Sequence, residues 1–133
     1  MKSLNAILVA GCLFASTFAM AAECVDKNGK DIYNQPDVFQ ELISKSANCY
    51  EAVQLAEACA YGASMDVYTT ALASDVCMIE LGKHSPKQED LSLLDTMHAR
   101  CNAHFDEDGG TLARSATAFC HLSAVQFVVN LVN

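Results

Sequence analysis

The chain has 133 residues, 16 Asp plus Glu against 8 Lys plus Arg, and a formal net charge of −8. That balance argues against a nucleic-acid partner or an anionic membrane surface, both of which require a basic patch. With no low-complexity tract, internal repeat or Pro/Ser-rich linker, the length suits one buried core and not two.

The N-terminus reads as an export signal. Lys2 supplies a positive start, the stretch from Leu4 to Met20 carries no charge, and Ala19-Met20-Ala21 offers the small-x-small pattern of a cleavage site. A membrane anchor needs ~20 apolar residues, and this run ends in small residues instead of a charged stop. Cleavage after Ala21 removes residues 1–21 and leaves a single domain, residues 22–133, with no stable membrane insertion. The alternative is a lipoprotein acylated at Cys12 after Val9-Ala10-Gly11. Against it, the apolar stretch ahead of Cys12 is short for a signal core of ~7–15 residues, and it continues past Cys12 to a good cleavage site. The expected location is therefore the periplasm or the outside of the cell.

Cleavage also removes Lys2 and Cys12. The mature chain then has seven basic residues against 16 acidic, a net charge of −9, and six cysteines. An even number in a small exported chain reads as a disulfide framework.

Asn28-Gly29 favours a type I′ turn, because both central positions need positive φ. A short N-terminal β-hairpin is expected there, with Val25 opposite Ile32 and Cys24 opposite Tyr33. Five helices follow. Pro36 opens the first, Asp37 and Glu41 suit its N-terminal half, and Val38, Phe39, Leu42 and Ile43 form its apolar stripe. Asn48 and Glu51 form a capping box for the second, which Gly62 stops. Ser64 is positioned to cap the third, where Met65, Tyr68, Leu72, Val76 and Ile79 recur at helical spacing, and Gly82 closes it.

Ser85-Pro86-Lys87-Gln88 signals the start of the fourth, with Leu91, Leu94, Met97, Cys101 and Phe105 as its buried stripe. Asp106 to Gly110 breaks the pattern. Thr111 is positioned to cap the fifth, whose first face carries Leu112, Ala116, Phe119, Cys120, Ser123 and Phe127. A second apolar line, Leu122, Val125, Val129 and Val132, leaves the last turns apolar on two sides. Those four residues either pack inside the domain or form a candidate interface with a partner. The expected fold is thus all-α, a small disulfide-linked bundle of about five helices behind a short hairpin.

Consecutive helices joined by short loops pack antiparallel, so residues equidistant from a loop meet. The loop after the second helix centres near Ala63, with Cys49 and Cys77 each 14 residues away. The loop after the fourth centres near Gly110, with Cys101 nine residues before it and Cys120 ten after. Cys49–Cys77 and Cys101–Cys120 are expected. Cys24–Cys59 remains, tethering an N-terminal hairpin too short to be stable alone.

No catalytic residue, cofactor site or metal site is expected. There is no Cys-x-x-Cys redox pair. His98, Cys101 and His104 share a helical spacing that suits metal ligands, but thiols in an oxidising compartment pair with each other. The segment from Asp106 lacks the Gly at position 6 and the Glu at position 12 of a calcium loop.

Asn48-Cys49 through Cys59-Ala60-Tyr61, with Arg100-Cys101, Gly109-Gly110-Thr111 and Cys120, resembles the lysozyme-inhibitor-like family of small exported bacterial helical proteins. That family has cysteine-punctuated helices and a Gly-Gly-Ser/Thr break about ten residues before its last cysteine; here Gly110 precedes Cys120 by ten. Cys77 has no counterpart in it. The resemblance implies a protein partner, namely a cell-wall hydrolase that the domain binds and inhibits. The expectation is a non-enzymatic exported binding protein. The alternative is a structural or envelope-associated domain with no soluble ligand.

Overall fold

The computed structural model describes residues 23–105 and 109–133, with Phe105 described by its backbone only. The expected signal, cleavage site and Cys12 lie outside these residues. Five helices follow in order: α1 Pro36–Ser44, α2 Cys49–Ala58, α3 Met65–Lys83, α4 Gln88–Phe105 and α5 Thr111–Val132. α5 is the centre of the bundle, with α3, α4 and α2 packed around it. α1 and α2 pack on each other and on α3. Among the described residues, α4 packs on α5 and on no other helix.

The disulfides join Cys24 to Cys59, Cys49 to Cys77 and Cys101 to Cys120, with Cα separations of 4.8, 4.3 and 5.7 Å. Two fasten helical hairpins. The third ties the N-terminal segment to the end of α2. Three such bridges fit an oxidising environment, extracellular or periplasmic.

The N-terminal hairpin does not form as expected. Among the described residues there is no strand, only one isolated bridge between Val25 and Asp31. The pairing is shifted by one residue because Asp26 organises the turn. Its Oδ1 accepts from the Asn28 and Lys30 backbone N–H groups at 2.8 and 3.0 Å. Gly29 alone takes positive φ, +77°, whereas a type I′ turn needs two such residues. The two backbone hydrogen bonds to Asp26 also hold its own carboxyl below the usual carboxylate range.

The helix starts show where local signals gave way to tertiary ones. Asn48 caps α2 as expected, accepting the Glu51 N–H at 2.9 Å. Glu51 reaches back one residue further than a standard box, to the Ala47 N–H at 2.9 Å. Glu80 of α3 also accepts the Cys49 N–H at 2.5 Å, a third acceptor at the positive helix end.

Ser64 makes no side-chain cap on α3. Asp66, in the first turn, instead ties the preceding loop to the helix. It is fully buried, and accepts the Tyr61 N–H at 2.8 Å and the Ala63 N–H at 3.1 Å. The Ser115 hydroxyl of α5 donates to the same carboxylate at 2.6 Å. Gly82 does not close α3, which runs on to Lys83. Ser85 is not the N-cap of α4 either. Its φ is +52°, outside the extended geometry a cap uses, and the helix starts three residues later, where Asp90 accepts the Lys87 N–H at 2.8 Å. α5 is preceded by Gly110 as N-cap, so Thr111 is already helical.

The core is built around Phe39 and Ile43 of α1, Ala52, Val53 and Ala56 of α2, and Leu122, Val125, Val128 and Val129 of α5. α3 buries only part of the stripe expected of it, with Leu72 and Val76 packed against the core. Met65, Tyr68 and Ile79 are exposed, while Asp66, Thr69, Thr70, Ala73, Cys77 and Leu81 face inward. The inward face is mostly short side chains, and this lets α3 lie close against both α2 and α5. Its threonine hydroxyls are satisfied within the helix, Thr70 donating to the Asp66 carbonyl at 2.7 Å.

Candidate binding face and histidine pair

The four C-terminal residues considered as an interface are mostly interior. Leu122, Val125 and Val129 are each at most 2% exposed, and Val132 is half-buried against the same core. They do not form a partner surface. α5 is central, so its β-branched line is what α2 and α3 pack upon.

The first apolar line of α5 takes the outer position instead. Leu112 is 69% exposed and Phe127 51%, and Leu131, one turn beyond, is 56%. Between Leu112 and Phe127 the line is partly buried, with Phe119 packed against the core, so the exposed side chains sit at the two ends of α5. Leu93 of α4 is also exposed, and the adjoining edge carries Met97. Phe127, Met97 and Ala124 line a groove of about 760 Å³ along the α4–α5 seam, with Arg100 and His104 at its rim. The Cys101–Cys120 bridge crosses this seam and fixes the two helices against each other. By length and composition alone α5 is apolar enough to cross a bilayer. In the fold, 33% of that apolar window is buried in the domain.

On the other side of the same seam lies a second groove of about 500 Å³. Among the described residues α3 and α4 make no close backbone approach, and α5 floors the gap between them. Asn102, Arg114, Thr117 and His121 supply its polar lining, with no carboxylate or thiol among the described lining residues. The Thr117 hydroxyl already donates to the Ala113 carbonyl at 2.9 Å.

His121 meets His98 of α4 across the seam, with ring centroids 4.6 Å apart and planes tilted by 37°. Both Nε2 atoms are buried, and neither has a hydrogen-bond partner among the described residues. Burial, reinforced by the neighbouring His98, pushes the His121 imidazole below the usual histidine range.

Sequence spacing had grouped His98 with Cys101 and His104. The fold separates them. Cys101 is committed to its disulfide, and His104 lines the opposite groove. No local signal links His98 to His121, which lie 23 residues apart. Only the antiparallel register of α4 and α5, already marked by Cys101 and Cys120, aligns them.

The described residues form a five-helix, three-disulfide domain suited to an oxidising compartment, with exposed apolar side chains on α3 and at both ends of α5. No protein-family model, curated protein or solved structure matches the chain.

Proposed function

We propose that this chain is an exported, non-enzymatic binding protein whose partner seats on the outer face of α5 and the adjoining edge of α4. The observation that carries this reading is the exposure of Phe127 and Leu131 at the C-terminal end of α5 and of Leu93 on α4. Large apolar side chains held in water on a disulfide-fixed surface mark an interaction site. Rigid presentation also lowers the ordering cost of association.

The resemblance to lysozyme-inhibitor-like proteins supports a cell-wall hydrolase as that partner, with the domain acting as its inhibitor. A net charge of −9 after signal removal would steer a basic hydrolase toward the domain. Periplasmic or secreted placement follows from the signal reading of residues 1–21.

The test measures binding of the mature, oxidised protein to a purified lysozyme, together with inhibition of cell-wall lysis. Saturable binding with inhibition, both lost in Phe127→Asp and retained in the α3 surface control Ile79→Asp, is the expected result. Absence of binding to lysozymes of several types removes the hydrolase and leaves the structural or envelope-associated alternative. Binding unaffected by Phe127→Asp and Leu131→Asp overturns the assigned face.

A further inference from the structure

We propose that the Cys101–Cys120 disulfide is a site of thiol exchange, opened by a dithiol reductant that enters the α4–α5 groove, ahead of the other two bridges and with release of α4. Three observations converge on it. The first is access. Of the six cysteines among the described residues, five are buried and Cys120 alone is half-buried. Both partners of this bridge line the groove of about 760 Å³ on the α4–α5 seam. Cys24, Cys59, Cys49 and Cys77 belong to the core cluster, and Cys101 and Cys120 stand outside it. Exchange needs a thiolate to reach a sulfur, so accessible bridges are the labile ones.

The second is charge. The attacking species is an anion, and so is the thiolate that leaves. Arg100 lines the same groove, and no carboxylate does among the described residues. Its guanidinium draws a thiolate in and stabilises the one released beside it. Cys24 also borders a cleft, of about 400 Å³, but there Glu23 and Asp31 repel a thiolate, and its partner Cys59 is fully buried. Cys49 and Cys77 are at most 2% exposed.

The third is attachment. Among the described residues α4 is held by α5 alone, with Leu94 and Cys101 as its buried side chains. Opening the bridge removes the covalent clamp from the one helix that has a single neighbour, and lets Leu94 and Met97 meet water. In the exchange, the first thiolate of the reductant attacks the sulfur of Cys120, the more exposed residue of the pair. The Cys101–Cys120 bond breaks, a mixed disulfide forms between the reductant and Cys120, and Cys101 leaves as a thiolate. The second thiol of the reductant attacks that mixed disulfide, frees Cys120 and closes the reductant's own disulfide. Two electrons and two protons pass to the protein, one proton to each sulfur. Oxidising surroundings keep the bridge closed at rest. The groove lies on the face proposed for a partner, but the exchange is read by cysteine labelling alone, so failure of either reading leaves the other intact.

The experiment exposes the mature, oxidised protein under native conditions to limiting dithiothreitol, quenches with iodoacetamide and maps the labelled cysteines by mass spectrometry. Cys101 and Cys120 should be labelled together, about tenfold or more faster than the other four, at a rate proportional to reductant. Arg100→Gln should slow that step by roughly twofold or more and leave the opening of Cys24–Cys59 unchanged. In the two-bridge protein that results, hydrogen exchange should accelerate by about thirtyfold or more across residues 88–105, while α1, α2 and α3 keep their protection. Opening of Cys24–Cys59 at an equal or faster rate, simultaneous opening of all three bridges, or loss of protection throughout the two-bridge protein overturns the site. A rate in Arg100→Gln equal to that of the unaltered protein overturns the role given to Arg100.

Discussion

Replacing Asp66 with Ala should destabilise the domain more than any other single polar substitution in it. The carboxylate is wholly buried, and it receives two backbone N–H groups from the α2–α3 loop and one hydroxyl from α5. Truncation removes all three bonds and leaves three donors without an acceptor. A buried donor left unsatisfied costs about 1–3 kcal/mol, and the partly buried Tyr61 and Ala63 N–H groups belong at the low end. The sum is about 3–5 kcal/mol. For a domain of this size, that lowers the unfolding temperature by roughly 12–20 °C.

Circular dichroism during urea and thermal unfolding, with the disulfides intact, measures the loss. Ser115→Ala should cost about 1–3 kcal/mol alone and add little in the Asp66→Ala background, because the two groups share one bond. Asp66→Asn keeps one acceptor oxygen and should fall between Asp66→Ala and the unaltered protein. A loss below about 1 kcal/mol for Asp66→Ala would refute the claim that this carboxylate joins the α2–α3 loop to α5.

Three further outcomes follow from the packing. His121 titrates below the usual histidine range, so between those two pKa values the unfolded chain binds more protons than the folded one. Stability should therefore be full above the usual value of 6.5 and decline as the pH falls below it; urea midpoints from neutral to mildly acidic pH should show this slope, flattened in His121→Phe. Phe127→Asp should leave stability within about 0.5 kcal/mol, because the ring is half in water, while Val129→Asp should cost about 3 kcal/mol or more; equal losses in denaturant titrations would contradict the inward and outward assignment of the two α5 lines. Replacing Cys101 and Cys120 together by Ser should cost about 2–4 kcal/mol. Since α4 packs on α5 alone, hydrogen exchange should accelerate first across residues 88–105, and uniform acceleration would count against that single-sided attachment.

The sequence by itself determined the class of fold and its covalent frame. Helical spacing located five helices, Asn48 marked the start of α2, and loop symmetry paired Cys49 with Cys77 and Cys101 with Cys120. These features are legible because they are local, or depend only on distance from a short loop. Orientation about each helix axis was not. Met65, Tyr68 and Ile79 look like a buried stripe on hydropathy, yet α3 turns its short residues inward, because its fit to α2 and α5 decides which face is buried.

Which apolar line of α5 faces the core was left open by the sequence for the same reason. A helix with apolar residues on several sides carries no internal sign of which side its neighbours will cover. Nothing local marks the role of Asp66, whose bond to Ser115 spans 49 residues. The His98–His121 contact likewise arises from two helices laid antiparallel, a relation set by tertiary packing and invisible to any spacing within one helix.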